Sequence, residues 1–156
     1  MAITLNPYQL ESTLKEKPSG PLYLVVGEED LLRDHALVVF KTLVLGEGGE
    51  FNYDLFYGDE ASGEDIRNCA SQMPAFAERR LVVVKGAEKL SAKEAEALLD
   101  YLKDPVETTT LVFLSQKLDG RLKFSQALGR TAVMIDCAPL REAQLIPWIA
   151  REAGRA

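Results

Sequence analysis

The sequence predicts an α/β domain with a mainly parallel five-stranded sheet and helices on both faces. Two continuous apolar runs, 22–26 (LYLVV) and 81–84 (LVVV), have the composition of strands that are buried on both faces. Helical patterns separate these runs from each other and from later apolar segments, and strands that alternate with helices are typical of a parallel sheet. We therefore expect 22–26 and 81–84 at the centre of the sheet.

The composition excludes several classes of protein. The 156 residues are 47% hydrophobic and carry a formal net charge of −6, so the chain can bury a core but has no general attraction for nucleic acid phosphates. No apolar run approaches the ~18 residues that span a bilayer. Cys69 and Cys137 lack the spacing of metal ligands, and no signal peptide is recognisable, so we expect reduced core thiols in a cytoplasmic protein.

The first elements are a helix at 6–16, the strand 22–26, and a helix that follows Gly27 and runs to about residue 45. Asn6 is expected as N-cap of the first helix and Pro7 as its first residue. The second helix has one apolar stripe, formed by Leu32, Ala36, Val39, Phe40 and Leu43.

The junction at Gly27 is where a phosphate-binding loop is expected in such a fold. That loop requires G-x-x-x-x-G-K-[ST], but residues 27–33 read GEEDLLR, with one glycine, no Lys-Ser/Thr pair and three consecutive acids. The acids suit the amino end of a helix and repel a triphosphate. The sequence therefore predicts that a functional P-loop is lacking.

The later elements follow the same alternation. A more polar strand at 52–57 is expected at an edge, and further strands at 110–114 and 132–136. A helix that begins at Ser62 has the apolar face Ile66, Cys69, Ala70 and Met73. A capping box at 91–94 opens a helix that ends at Asp104-Pro105, with the face Ala95, Leu98, Leu99 and Leu102. A short helix before the last strand carries Leu122, Phe124 and Leu128.

The segment 73–80 (MPAFAERR) connects a helix to the central strand 81–84. Pro74 stiffens the backbone, and Glu78, Arg79 and Arg80 form a charged collar. This arrangement favours Met73 and Phe76 as exposed anchors for another protein. The alternative, which residue types alone leave open, is that Phe76 covers the domain's own core.

Other polar residues give weaker indications of chemistry. Glu88 follows the strand 81–84, where a hydrolase carries an acid for magnesium, but a single Glu is expected to be only solvated. His35 has no nucleophile or orienting group at a recognisable spacing. A basic group of four residues is expected to be a solvated rim rather than a phosphate site; its members are Arg79, Arg80, Lys85 and Lys89.

Several segments together resemble the delta subunit of the bacterial DNA polymerase III clamp loader. They are 22–27 with Glu28, Asp30, Leu31 and Leu32, then 73–90, 111–114 and Trp148-Ile149. The turn at 73–76 followed by 77–84 is the most specific part. The resemblance implies a three-layer AAA+-like (P-loop NTPase-like) domain at 1–139. It also implies that 140–156 is the truncated beginning of the next, helical lid-like domain. We therefore expect Trp148, on a helix that begins near Pro147, to be more exposed than a single tryptophan usually is.

The resemblance also implies a function without catalysis. The family binds the ring-shaped sliding clamp and opens one of its interfaces. A pair of neighbouring hydrophobic residues carries that contact, and the positions that match the pair are Ala75 and Phe76, with Met73 and Pro74 beside them. The family usually has a larger residue where Ala75 stands, which places more of the contact on Phe76. The resemblance implies no catalytic residue, no cofactor, no metal and no contact with a membrane. It implies other loader subunits as partners, through regions mostly absent here, and DNA as an indirect partner. The implied location is the bacterial cytoplasm. The alternative function is a nucleotide-binding enzyme with a degenerate loop at Gly27.

Overall fold

The computed structural model describes residues 4–16, 19–46 and 49–137. The strands are β1 (Thr4–Leu5), β2 (Leu22–Val26), β3 (Tyr53–Tyr57), β4 (Arg80–Lys85), β5 (Thr109–Ser115) and β6 (Val133–Asp136). The α-helices are α1 (Pro7–Glu16), α2 (Asp30–Phe40), α3 (Gly63–Ala70), α4 (Ala92–Glu96), α5 (Leu99–Lys103) and α6 (Lys123–Thr131). Single turns of other helix types lie at Lys41–Leu45, Gly49–Asn52 and Ala87–Lys89.

The strands form one sheet in the order β1-β6-β2-β5-β4-β3, and every pair of neighbours is parallel. The predicted central positions of β2 and β4 and the edge position of β3 are confirmed. The predicted count of five strands is wrong, because β1 adds a sixth beside β6. Two residues are too short a segment for an apolar pattern to reveal.

Each face of the sheet has its own core. On β2, Leu22 and Leu24 point into one cluster, whereas Tyr23 and Val25 point into the other. The first cluster is covered by α3, α4, α5 and α6, and the second by α1 and α2. The two-sided burial explains why the central strands have no polar alternation.

Four predicted helices differ in detail. The helix predicted to run to about residue 45 is α-helical only as far as Phe40, and a π-helical turn follows it. The predicted helix from Ser91 is two short helices, α4 and α5. Helix α3 ends at Ala70, so Met73 is not on its apolar face but in the exposed connection that follows. Leu122 precedes α6 and is exposed, whereas Phe124 and Leu128 are buried as predicted.

Side-chain caps begin the helices where the sequence predicts them. Asn6 Oδ1 accepts a hydrogen bond from the Gln9 N–H at 2.9 Å, and Ser91 Oγ accepts one from the Glu94 N–H at 3.3 Å. The Glu94 carboxylate does not complete the capping box, because it accepts a hydrogen bond from the Gly63 N–H at 3.1 Å. This contact joins the amino ends of α3 and α4.

The predictions for 140–156, including the helix from Pro147 and the exposure of Trp148, fall outside the described residues. Within the part of the chain that is described, no helix is long and apolar enough to cross a membrane.

Candidate protein-interaction site

The connection between α3 and β4, residues 71–79, is called here the docking turn. Two of its side chains extend into solvent: Phe76 is 107% exposed and Met73 70%. Ala75 is also exposed, and Pro74 is half-buried. The alternative in which Phe76 covers the core is therefore wrong, and the predicted exposure of Met73 and Phe76 is confirmed.

The backbone of Phe76 is unusual. Its φ angle is 59°, the only positive φ of a non-glycine residue among the residues described. A bulky side chain in this left-handed region is uncommon and persists only where the surrounding structure enforces it. The contacts on either side of Phe76 supply that restraint.

Asn52 fixes the middle of the docking turn. Its side-chain Nδ2 donates to the Ala75 carbonyl at 2.7 Å, and its Oδ1 accepts from the Ala75 N–H at 2.7 Å. Asn52 itself is 1% exposed. The Asn52 amide thus pairs with Ala75 as the main chain of a neighbouring strand would. It satisfies both the N–H and the carbonyl of Ala75, the residue before Phe76.

The beginning of the docking turn is attached to the core. The carbonyl of Ala70, the last residue of α3, accepts hydrogen bonds from Thr109 Oγ1 at 2.8 Å and from the Tyr101 hydroxyl at 3.4 Å. Both donors are buried. The entry to the turn is therefore bound to β5 and α5.

The two arginines fix the end of the docking turn. The Arg79 guanidinium donates to Thr110 Oγ1 at 3.1 Å and to the carbonyls of Gly20 and Thr109 at 3.3 Å each. Burial lowers the pKa of Arg79. Arg80 is 6% exposed and pairs with Asp54 at 2.6 Å, so it joins β4 to β3.

These arginine contacts correct two predictions. Arg79 and Arg80 are not a solvated collar, because their side chains turn into the fold. The predicted basic rim also does not exist as one group, since Lys85 is the last residue of β4 and Lys89 lies in the turn that follows, at the opposite end of the strand from Arg79 and Arg80. Only Glu78 of the predicted collar is exposed.

The junction of β2 and α2 has a different character. The Gly27 N–H donates to the Ser115 carbonyl at 3.1 Å, and the Glu29 N–H donates to the Cys137 carbonyl at 3.4 Å. The Arg33 guanidinium donates to the Gly27 carbonyl and pairs with Asp30. These main-chain groups are satisfied by the protein itself.

Glu88 was expected to be only solvated, and that prediction is wrong. Glu88 is half-buried, and its Oε2 accepts a hydrogen bond from Ser115 Oγ at 2.9 Å. Ser115 is 1% exposed and ends β5. The contact joins the carboxyl end of β5 to the turn that follows β4. Glu88 also borders an open groove of about 830 Å³, whose lining comes from segments 87–99 and 117–124 and not from the β2–α2 junction.

The two cysteine thiols are protonated at neutral pH. Burial raises the pKa of Cys69 to about 11, with a further contribution from Asp54, and burial raises the pKa of Cys137 to about 12. Both are free thiols. A thiol with so high a pKa is protonated and unreactive. His35 is buried on α2.

Sequence reasoning identified the exposed residues of the docking turn but missed what fixes it. Asn52 was assigned to a strand, and its partner Ala75 is 23 positions away. Arg79 and Arg80 carry charges, which are usually solvated. The only signal was indirect: a charged pair directly before a buried strand must either reach solvent or find partners inside.

Comparisons with known proteins agree with the resemblance in the sequence. The model of the family described as DNA polymerase III, delta subunit matches residues 23–138. The chain is similar to the DNA polymerase III subunit delta of Bacillus subtilis, with 29% identity over 144 residues that cover 85% of this chain and 42% of the relative. It thus spans less than half of that relative.

Solved structures share the fold. The DNA clamp loader delta protein of Bacillus subtilis superposes with a TM-score of 0.82 at 26% identity, over 96% of this chain and 47% of that one. A gamma subunit-related protein from Thermotoga maritima gives 0.63 at 18% identity, over 88% and 47%. The RuvB branch migration motor of Thermotoga maritima gives 0.59 at 13%, over 96% and 51%, and shows the fold alone.

The predicted AAA+-like α/β class is therefore confirmed. Since the family model spans residues 23–138 of the 156, this chain belongs to the DNA polymerase III delta subunit family.

Proposed function

We propose that this chain is the part of a clamp-loader delta subunit that binds the sliding clamp and opens one interface of its ring. The docking turn makes the contact, with Phe76 as the main anchor and Met73, Pro74 and Ala75 beside it. One observation carries the proposal: Phe76 is fully exposed on a backbone that Asn52 fixes at the adjacent residue.

Pre-organisation is the physical advantage of this arrangement. A flexible loop loses conformational entropy when it binds, whereas a turn that is already fixed loses little. Burial of one phenylalanine in a pocket of the partner stabilises a complex by about 1.5–3 kcal/mol. The Asn52 bridge ensures that little of this is spent on ordering the turn.

Opening of the ring then follows from binding. A partner that binds the open form of the ring more tightly than the closed form shifts the population toward the open form. No bond is made or broken, so this chain needs no catalytic residue and has no enzymatic activity of its own. Other loader subunits bind mostly through regions outside this chain, contact with DNA is indirect, and the complex acts in the bacterial cytoplasm.

The β2–α2 junction supports a role without nucleotide. The N–H groups of Gly27 and Glu29 donate to protein carbonyls, and Arg33 covers the Gly27 carbonyl. A phosphate-binding loop instead directs its N–H groups toward the ligand. We propose that the chain lacks a functional P-loop and binds no ATP.

Calorimetric titration with ATP and magnesium tests this part of the proposal. We expect no heat of binding at millimolar ATP. Saturable binding would favour the nucleotide-binding enzyme instead. An added readout is the melting temperature, which rises when a ligand binds the folded state and is expected to stay unchanged.

The clamp-binding part of the proposal is tested by titrating the chain with the sliding clamp of the same organism. Saturable binding is expected for the wild type. Absence of binding by a folded chain would contradict the proposal.

A further inference from the structure

The exposed large apolar side chains of the described residues are not distributed evenly. The three most exposed are Phe76 at 107%, Phe51 at 81% and Met73 at 70%. The others are between 46% and 56% exposed and lie on other elements: Leu31, Val38, Tyr57 and Leu122. Phe51 is therefore as exposed as the apolar residues of the docking turn, although the two segments are far apart in the sequence.

Phe51 also lies beside the docking turn in space. It occupies the single turn Gly49–Asn52, immediately before β3, and the docking turn immediately precedes β4. β3 and β4 are parallel neighbours, with Tyr53 paired with Leu81. The amino ends of two paired parallel strands lie side by side, about 4.8 Å apart.

The Asn52–Ala75 bridge fixes the two segments to each other. Phe51 directly precedes Asn52, and Phe76 directly follows Ala75, so each phenylalanine is one residue from the bridge. Because Asn52 is buried, the chain at this point is attached to the core while Phe51 extends into solvent. Two aromatic rings are thus presented by one rigid corner of the sheet.

We propose that Phe51 is a second anchor for the sliding clamp and contacts it together with Met73 and Phe76. This inference rests on the proposed function. A single inserted ring leaves the partner free to rotate about it, whereas a second contact on a separate segment fixes the orientation. A fixed orientation is what a subunit needs when its binding must favour an open ring over a closed one.

Titration of the full chain with the clamp tests the proposal through Phe51→Ala. We expect binding to be about tenfold weaker, since the variant lacks an aromatic ring that the clamp buries in the complex. The melting temperature is expected to change little, because an exposed ring leaves no cavity. Leu31→Ala is the matched control: it removes an exposed apolar side chain at the start of α2, beyond the carboxyl end of β2, and is expected to leave clamp affinity unchanged.

A photo-crosslink separates contact from an indirect effect through Asn52. Phe51→p-benzoylphenylalanine is expected to crosslink to the clamp on irradiation, and the same change at Leu31 is not. Weaker binding of Phe51→Ala without a crosslink at this position would overturn the proposal. The proposal would also be overturned if Phe51→Ala bound the clamp within twofold of the wild type while Phe76→Ala bound poorly. In that case the proposed function would still stand. Failure of the wild type to bind the clamp would overturn both.

Discussion

At the amino end of β4 the main chain of the docking turn is fixed, and the side chains of Met73 and Phe76 face solvent. At the carboxyl end of β2, in contrast, polar main-chain groups of the loop are bound by other parts of the protein. Phe76 is fully exposed beside a residue bound by Asn52. The N–H groups of Gly27 and Glu29 donate into the protein, and Arg33 binds the Gly27 carbonyl.

The difference shows that the two ends of the strands in one sheet can offer surfaces of different chemistry. Ligands of open α/β sheets usually bind at the carboxyl ends of the strands, where loop N–H groups are available. In this chain the N–H groups of Gly27 and Glu29 already donate hydrogen bonds to carbonyls of the protein. The exposed apolar surface of Met73 and Phe76 lies instead at the amino end of β4, and such a surface suits a protein partner rather than a phosphate.

The largest expected effect outside the anchor itself comes from Asn52→Ala. This change removes both hydrogen bonds to Ala75 and leaves its polar groups without their partner. We expect the free energy of unfolding to fall by about 1–3 kcal/mol. We also expect clamp affinity to fall about tenfold, because the turn must then be ordered on binding. Thermal melts and clamp titration measure the two effects.

Arg33→Ala is the control for that experiment. It removes side-chain hydrogen bonds at the opposite end of the sheet, so it is expected to lower stability without changing clamp affinity. If Asn52→Ala lowered stability but bound the clamp as tightly as the wild type, pre-organisation of the turn would be unnecessary for binding.

The smallest expected effect is that of Ala75→Leu. Ala75 is exposed and is bound to Asn52 only through its main chain, so a larger side chain meets no obstacle from that bridge. The added apolar area is expected to leave clamp binding unchanged or to tighten it by a few fold. The free energy of unfolding is expected to stay within about 0.5 kcal/mol of wild type. A clear loss of affinity in the same titration would show that the partner leaves no room at this position.

The sheet and the exposed residues of the site could be predicted from local patterns. Continuous apolar runs identify β2 and β4 as central because no residue in them suits water. Pro74 followed by small residues around Phe76 indicates a stiff exposed connection. These features are local, and a single sequence contains them.

The contacts that fix the docking turn could not be predicted in the same way. The Asn52–Ala75 bridge joins residues 23 positions apart, and the Arg79–Gly20 contact joins residues 59 apart. Both depend on which strands become neighbours. Residue type misled as well, since Arg79, Arg80 and Glu88 are charged but bond to partners inside the fold.

The central claim is that Phe76 serves the partner and not the core. The most direct measurement is clamp titration and thermal melting of Phe76→Ala, with Phe113→Ala as the buried counterpart. We expect Phe76→Ala to bind the clamp about 10–100-fold more weakly, with stability changed far less than by the core substitution. Phe113→Ala is expected to cost about 3–5 kcal/mol of stability. A large loss of stability with unchanged clamp affinity for Phe76→Ala would contradict the account.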